Sequence, residues 1–293
     1  MDENTPSTSK GTLYIVATPI GNLEDITIRA LRTLKEVNLI AAEDTRRTRI
    51  LLNHYSIKTP LTSYYEYNKL IKGKKLIDRL ETGENIALVS DAGTPGISDP
   101  GYHLIKLALQ SSTSVIPIPG VSAVITALSV SGLPTDSFVF QGFLPNKITA
   151  RKKLIEKMAE EKRTLVFYES PNRLRAALQD LLEICGDREI VVTRELTKVF
   201  EEVIRGKITH VLNVLNGRQI KGEITLLVSG KRALDSGDDT SISQLLQDYQ
   251  KRYDLPMKDL IKMISEEKGI SKREVYQESL KLKKRKKVCL THN

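Results

Sequence analysis

The sequence predicts an α/β protein made of two α/β domains and a small C-terminal helical domain. Short apolar, β-branched runs alternate with helical periods through the first 230 residues, the pattern of sheets with helical crossovers. Gly132 and Pro134 punctuate 131–135, and a second series of strands begins directly after. Beyond residue 240 no strand run appears.

The strand runs, each bounded by Gly, Pro or Asn, are 13–17, 37–42, 86–90, 115–118, 138–143, 165–168, 190–193 and 224–229. Helical periods fall between them at 26–36, 45–53, 69–81, 102–110, 122–130, 151–162, 172–185 and 209–215. The tail adds 242–253, 257–268 after Pro256, and 272–282 with Ser271 placed as its N-cap. This gives a flexible start at 1–10, domains at 11–118 and 135–232 joined through 119–134, and a helical appendage at 241–293. The turn at 267–271 makes the last two helices compatible with a helix-turn-helix-like unit.

Composition narrows the classes. With 293 residues and 40% hydrophobic side chains the chain can bury a sizeable core. It has no Trp and 5% aromatics, which argues against an aromatic-lined carbohydrate site. Cys185 and Cys289 stand far apart with no His at ligand spacing, so neither a disulfide framework nor a metal site is expected. Residues 1–10 are polar, unlike a signal peptide, and the expected compartment is the cytoplasm. The uncharged run 107–135 is broken by Pro117, Pro119, Gly120 and Gly132; it reads as strand, turn and small-residue helix, with no membrane association. A net charge of +9, with six basic residues among the seven of 281–287, points to a polyanionic partner as well as to solubility.

The dominant motif is SDAGTPGISDPG at 90–101, directly after a strand and before a helix. Three Gly and two Pro in twelve residues make it a long, stiff strand-to-helix loop, and ligands bind at the carboxyl edge of open α/β sheets. No G-x-x-x-x-G-K-[ST], G-x-G-x-x-G or G-x-S-x-G occurs, which removes most support for nucleotide triphosphate, ordinary dinucleotide and serine hydrolase sites. TPIGNL at 18–23, AEDTRRTR at 42–49 and PIPGVSA at 117–123 follow other strands of the same domain, so together they ring one sheet edge. Asp44 also qualifies as the N-cap of the helix that follows it, and Ser170 as a cap before Pro171.

TPIGNLED, AAEDTRRT, LVSDAGTPGISDPG, PIPGVSA, FQGFLP, FYESPNR and TREL, in that order, resemble the tetrapyrrole-methylase-fold family, and within it the branch that methylates small-subunit ribosomal RNA. The resemblance spans about 11–232, and the tail is similar to that branch's helical domain. It implies a class III methyltransferase fold, with S-adenosylmethionine in the cleft between the two α/β domains, and a homodimer. It also implies 2′-O-methylation of a cytidine ribose in the decoding region of 16S rRNA of the small ribosomal subunit. Carried onto this chain, the cofactor contacts are Thr18, Pro19, Asp91, Gly93, Thr94, Ser122 and Ala123, then Tyr168, Leu196 and Ile224. One departure is Tyr65 and Tyr67, where related sequences often show His.

A ribose hydroxyl needs a proton acceptor or oxyanion stabiliser to attack a methyl group. Glu43, Asp44 and Glu66 are the candidate acceptors, and Asp44, Arg46 and Glu66 are taken as the catalytic set. Arg47, Arg49, Arg173, Lys283, Lys284, Arg285 and Lys286 are the expected RNA contacts. A methylase of a small tetrapyrrole-like substrate would use the same loops but leaves the charge and the basic tail unexplained. A non-catalytic RNA-binding or assembly factor is the third reading.

Overall fold

The computed structural model describes residues 9–231, 242–253, 255–268, 272–273, 275–280 and 282. Residues 1–231 and 232–293 form two compact units. The first contains both sheets.

In the first sheet β1 (Thr12–Val16), β2 (Leu39–Ala42), β3 (Leu61–Ser63), β4 (Ile86–Val89) and β5 (Ser114–Ile118) pair in parallel, in the order β3-β2-β4-β1-β5. Such strands are covered on both faces, and the side-chain period of two sorts them. Ile86 and Leu88 of β4 join Leu76 and Leu80 of α3 (Lys69–Glu81) and Leu104 of α4 (Gly101–Gln110). Ala87 and Val89 face the other way, onto Ala30 and Leu34 of α1 (Ile28–Glu36) and Leu52 of α2 (Thr45–His54). After β1 the chain crosses to β2 on one side, and after β4 it crosses to β5 on the other. The loops after β1 and β4 therefore diverge at a switch point, where open α/β sheets form crevices. A Cβ on Gly120 would stand 2.9 Å from that of Ala17, so a glycine is needed for the loop after β5 to lie against the end of β1.

The second sheet runs β6-β7-β10-β8-β9, from β6 (Phe138–Phe143), β7 (Thr164–Glu169), β8 (Glu189–Arg194), β9 (Glu202–Lys207) and β10 (Ile224–Val228). Only β6 and β7 are parallel; β7, β10, β8 and β9 pair antiparallel along the rest of the sheet. One face packs on α6 (Ile148–Met158), α7 (Leu174–Cys185) and α8 (Ile208–Leu215) through residues such as Ile155, Leu178 and Val211. The opposite face, with Val166, Val191 and Leu227, packs on Val124, Ala127 and Leu128 of α5 (Ala123–Ser131) and on Ile20 from the loop after β1. The uncharged 107–135 run thus contains a helix that packs on the second sheet with Val124, Ala127 and Leu128 and leaves Ile125 and Val130 exposed on its other side. The carboxyl edge of the first sheet meets one face of the second, and a cleft lies along that seam.

The second unit holds α9 (Ile242–Arg252), α10 (Met257–Lys268) and helical residues at 275–280, around Leu246, Leu260, Ile264 and Val275. No helix among the described residues is long and apolar enough to cross a membrane. The turn at 269–271 lies outside the described residues.

Two strands are absent from the sequence reading, β3 and β9. Both are edge strands, one of three residues and one reading EVIRGK with alternating charge, and polar edges are how sheets avoid further pairing. The helix expected at 151–162 begins earlier, at Ile148, and ends at Met158.

Candidate active site

The 90–101 loop is held in one shape by its own polar groups. Asp99 Oδ1 accepts from the backbone N–H of Gly96 at 2.8 Å and of Gly101 at 2.7 Å, so one carboxylate fastens the loop and the start of α4. Burial pushes the Asp99 carboxyl above its ordinary range. Thr18 and Gly93 exchange backbone hydrogen bonds at 2.9 Å, and Thr94 Oγ1 donates to the Val121 carbonyl at 3.3 Å. Loops after β1, β4 and β5 are thereby tied into one rim, which lowers the ordering cost of binding.

Beneath that rim is a cavity of about 390 Å³, within the size range of small-molecule sites. Its first wall is the 90–99 loop with Ile20, Ser122 and Ala123; its second is Phe143, Tyr168, Thr193, Leu196, Ile224 and Thr225 from the other sheet. Five carboxylate residues line it, Glu43, Asp91, Asp99, Glu169 and Glu223, against one cationic residue, Arg47. An acidic cavity in a chain of net charge +9 is suited to a cationic ligand. Four of the acids are committed: Asp91 accepts from the Asp44 N–H at 2.9 Å and pairs with Arg47 at 3.4 Å, Asp99 fastens its own loop, Glu169 is buried against Arg173 at 2.5 Å, and Glu223 pairs with Lys198 at 3.1 Å.

Glu43 is different. It follows the last residue of β2 and takes only a 3.4 Å hydrogen bond from the Asp91 N–H. Burial raises its carboxyl above the ordinary value of 4.5, and the charges of Asp91 and Asp99 add to the effect. A half-buried carboxylate facing a cavity with a raised pKa has the properties of a proton acceptor.

The sequence-derived cofactor set is largely brought together: Asp91, Gly93, Thr94, Ser122, Ala123, Tyr168, Leu196 and Ile224 all line the cavity. Thr18 and Pro19 border a smaller hollow beside it, of about 130 Å³, and Thr18 is buried as a brace for the loop. The expected catalytic set, Asp44, Arg46 and Glu66, lies outside the cavity lining. Asp44 caps α2 through the Arg46 N–H at 2.8 Å and chelates the Arg46 guanidinium at 3.1 and 2.7 Å, and these bonds hold its carboxyl down to about 2. Neither Asp44 nor Arg46 lines the cavity, and the Arg46 side chain is 89% exposed. Glu66 lies on the loop before α3, exposed and paired with Lys69, also outside the cavity. Tyr65 and Tyr67 sit on that same exposed loop, and neither lines the cavity.

Of the expected RNA contacts, Arg47 lines the cavity mouth and Arg49 is exposed on α2. Arg173 is reassigned: its guanidinium donates to Ser170 Oγ, the Leu144 carbonyl, Asn146 and Glu169, so it fastens the loops after β6 and β7 and has little left for a phosphate. Lys283, Lys284, Arg285 and Lys286 lie outside the described residues. Sequence reasoning missed Phe143, Thr193 and Thr225. The two threonines carried a signal, polar residues at the ends of otherwise apolar strands.

A family profile described as Tetrapyrrole (Corrin/Porphyrin) Methylases matches residues 12–212. Ribosomal RNA small subunit methyltransferase I of Halalkalibacterium halodurans is 48% identical over 271 residues, covering 91% of this chain and 94% of that relative. The protein of the same name from Thermotoga maritima is 50% identical over 221 residues, 75% of this chain and 99% of its own length. Among solved structures, uroporphyrin-III C-methyltransferase from Thermus thermophilus complexed with S-adenosylhomocysteine aligns with a TM-score of 0.54 at 18% identity. That alignment covers 75% of this chain and 98% of the other, and it shows a common fold.

Proposed function

The chain belongs to the tetrapyrrole (corrin/porphyrin) methylase family, and we propose that it is an S-adenosylmethionine-dependent methyltransferase that 2′-O-methylates a cytidine ribose in the decoding region of 16S rRNA. The observation that carries the reading is an acidic cavity, walled by preformed loops, inside a basic chain. A cationic cofactor suits the cavity and a polyanion suits the surface around it. The named relatives, similar over most of their length, are ribosomal RNA small subunit methyltransferases.

When bound, S-adenosylmethionine supplies a methyl group on a positively charged sulfur. Gly93, Thr94, Ser122 and Ala123 would hold it from the first sheet, and Tyr168, Leu196 and Ile224 from the second. Asp91 and Asp99 contribute negative charge on the same side. Glu43 takes the proton that the ribose hydroxyl releases as its oxygen is methylated. Holding the hydroxyl in line removes part of the barrier by orientation alone. Arg47 and Arg49 on α2 contact phosphates at the mouth, joined by the basic tail.

The same reading puts the substrate, RNA of the small ribosomal subunit, in the cytoplasm and takes the active form as a homodimer; exposed Val199 and Phe200 support it as apolar surface for a second copy. A tetrapyrrole substrate is disfavoured because it gives the charge of +9 no use.

The Thermotoga maritima relative has only the length that the two-sheet unit requires, so the helical unit adds affinity and not chemistry. Removing 232–293 is expected to leave S-adenosylhomocysteine affinity and kcat unchanged while KM for the small subunit rises roughly tenfold or more and its salt dependence flattens. Calorimetry and methyl-transfer kinetics over a salt series check this, and an unchanged KM would remove the tail's assigned role.

A further inference from the structure

We infer that Phe143 is a stacking face for the base of the target nucleotide at the mouth of the cleft, an inference that rests on the RNA methyltransferase reading. Strand β6 reads FVFQGF, and with a regular period of two Phe140 and Phe143 fall on opposite faces of the sheet. The structure departs from that period. Phe140 pairs with Val166 and Gly142 with Phe167, so Gln141 is an extra residue, a β-bulge next to the cleft. Gly142 adopts φ +72, a left-handed conformation that glycine tolerates, and a Cβ there would come to 3.1 Å from Ser98 Oγ.

The bulge reverses the parity of the strand end. Phe143 comes into register with Tyr168 and shares its face, the one that lines the cavity. Ring distances agree: Phe140 and Phe143 lie 5.0 and 5.5 Å from the Tyr168 ring. Phe140 is packed among the apolar residues between the sheets, whereas Phe143 remains 57% exposed while lining the cavity. The bulge therefore turns an aromatic ring out of the helix-covered face of the sheet and leaves it unfinished at the cleft mouth. The β6–α6 loop that follows is pinned by Arg173 through Leu144 and Asn146, so the ring is carried on a fixed support.

An exposed flat ring beside a site that receives a single nucleotide is the recognised means of holding an unstacked base, since every base offers a π-face. A base swung out of its neighbours' stack presents its own ribose to the cavity, and the 2′-oxygen can then reach Glu43. Phe143 thus contributes base-independent grip on the nucleotide.

The same chemistry could be met by the adenine of the cofactor, and the test separates the two. Phe143→Ala, Phe143→Leu and Phe143→Trp are compared with wild type for S-adenosylhomocysteine affinity by calorimetry and for methyl transfer to small ribosomal subunits, with thermal melts as the folding control. The expected result is a rise in KM for the subunit, or a fall in kcat/KM, of roughly 5- to 100-fold for Ala and Leu. Trp restores activity, and cofactor affinity is unchanged throughout. Loss of cofactor affinity in parallel with activity would overturn the inference in favour of an adenine contact. Full activity of Phe143→Ala beside an active wild type would overturn it outright. A wild-type protein that methylates no RNA would overturn the functional reading, and this inference with it.

Discussion

Replacement of Glu43 by Gln is expected to lower kcat by roughly 10²- to 10⁴-fold, about 3 to 5 kcal/mol of barrier, while S-adenosylhomocysteine affinity stays within about a factor of two. Gln keeps the size of the side chain and can still accept from the Asp91 N–H, but it cannot take a proton. The pH profile makes the test specific. An acceptor must be ionised, so activity is present above its pKa in the folded protein and lost as pH falls through it. Burial places the Glu43 carboxyl above its ordinary 4.5, so the acid limb of kcat/KM stands above that value, and the residual activity of Glu43→Gln lacks the limb. Asp44→Asn gives the contrast. The Asp44 carboxyl is held at about 2 by Arg46, so it is ionised throughout the working range and contributes no limb there. A kcat loss at Asp44→Asn as deep as at Glu43→Gln would return the acceptor role to Asp44.

Asp180→Ala is expected to destabilise the two-sheet unit by about 3 to 5 kcal/mol without altering cofactor affinity at low temperature. Arg151 Nε donates to Asp180 Oδ2 at 2.6 Å, joining α6 to α7, with the two side chains only 4% and 9% exposed. Removing the carboxylate strands a buried guanidinium, which costs more than the pair itself contributes. At about 2 to 4 °C per kcal/mol for a unit of this size, the melting midpoint drops by roughly 6 to 20 °C. The double variant Arg151→Met with Asp180→Leu is expected to recover most of the loss, because replacing a buried pair by apolar groups is often neutral. Failure of the double variant to recover would show that the pair does more than satisfy itself.

How far the sequence could be read depended on whether a residue's neighbours in the chain decide its surroundings. The 90–101 loop was legible because its Gly and Pro content forbids regular structure, and the structure places Asp91, Gly93 and Thr94 in the cavity wall. β4 was legible because all four of its residues are apolar and buried. Glu43 and Asp44 were not separable: adjacent carboxylates look alike, and which one caps α2 depends on where the helix starts. With the start at Thr45, Asp44 becomes the cap and Glu43 is left to the cavity. Phe143 was hidden for a related reason, since a bulge reverses strand parity and leaves no mark beyond a glycine. β9 was hidden by the charges that protect an edge. Arg173 looked like a phosphate ligand because nothing local reveals that Leu144 and Asn146, nearly thirty residues earlier, take up its donors.

The proposed reaction is methyl transfer to a ribose oxygen of small-subunit RNA, with the acidic cleft holding the methyl donor. Its most direct test is to incubate the full chain with isotopically labelled S-adenosylmethionine and small ribosomal subunits from cells that lack this protein, and then to map the label along the RNA. Label is expected on one cytidine 2′-oxygen near the decoding site, and almost none with Glu43→Gln. Label on a base, or S-adenosylmethionine bound with no label reaching RNA, would contradict it.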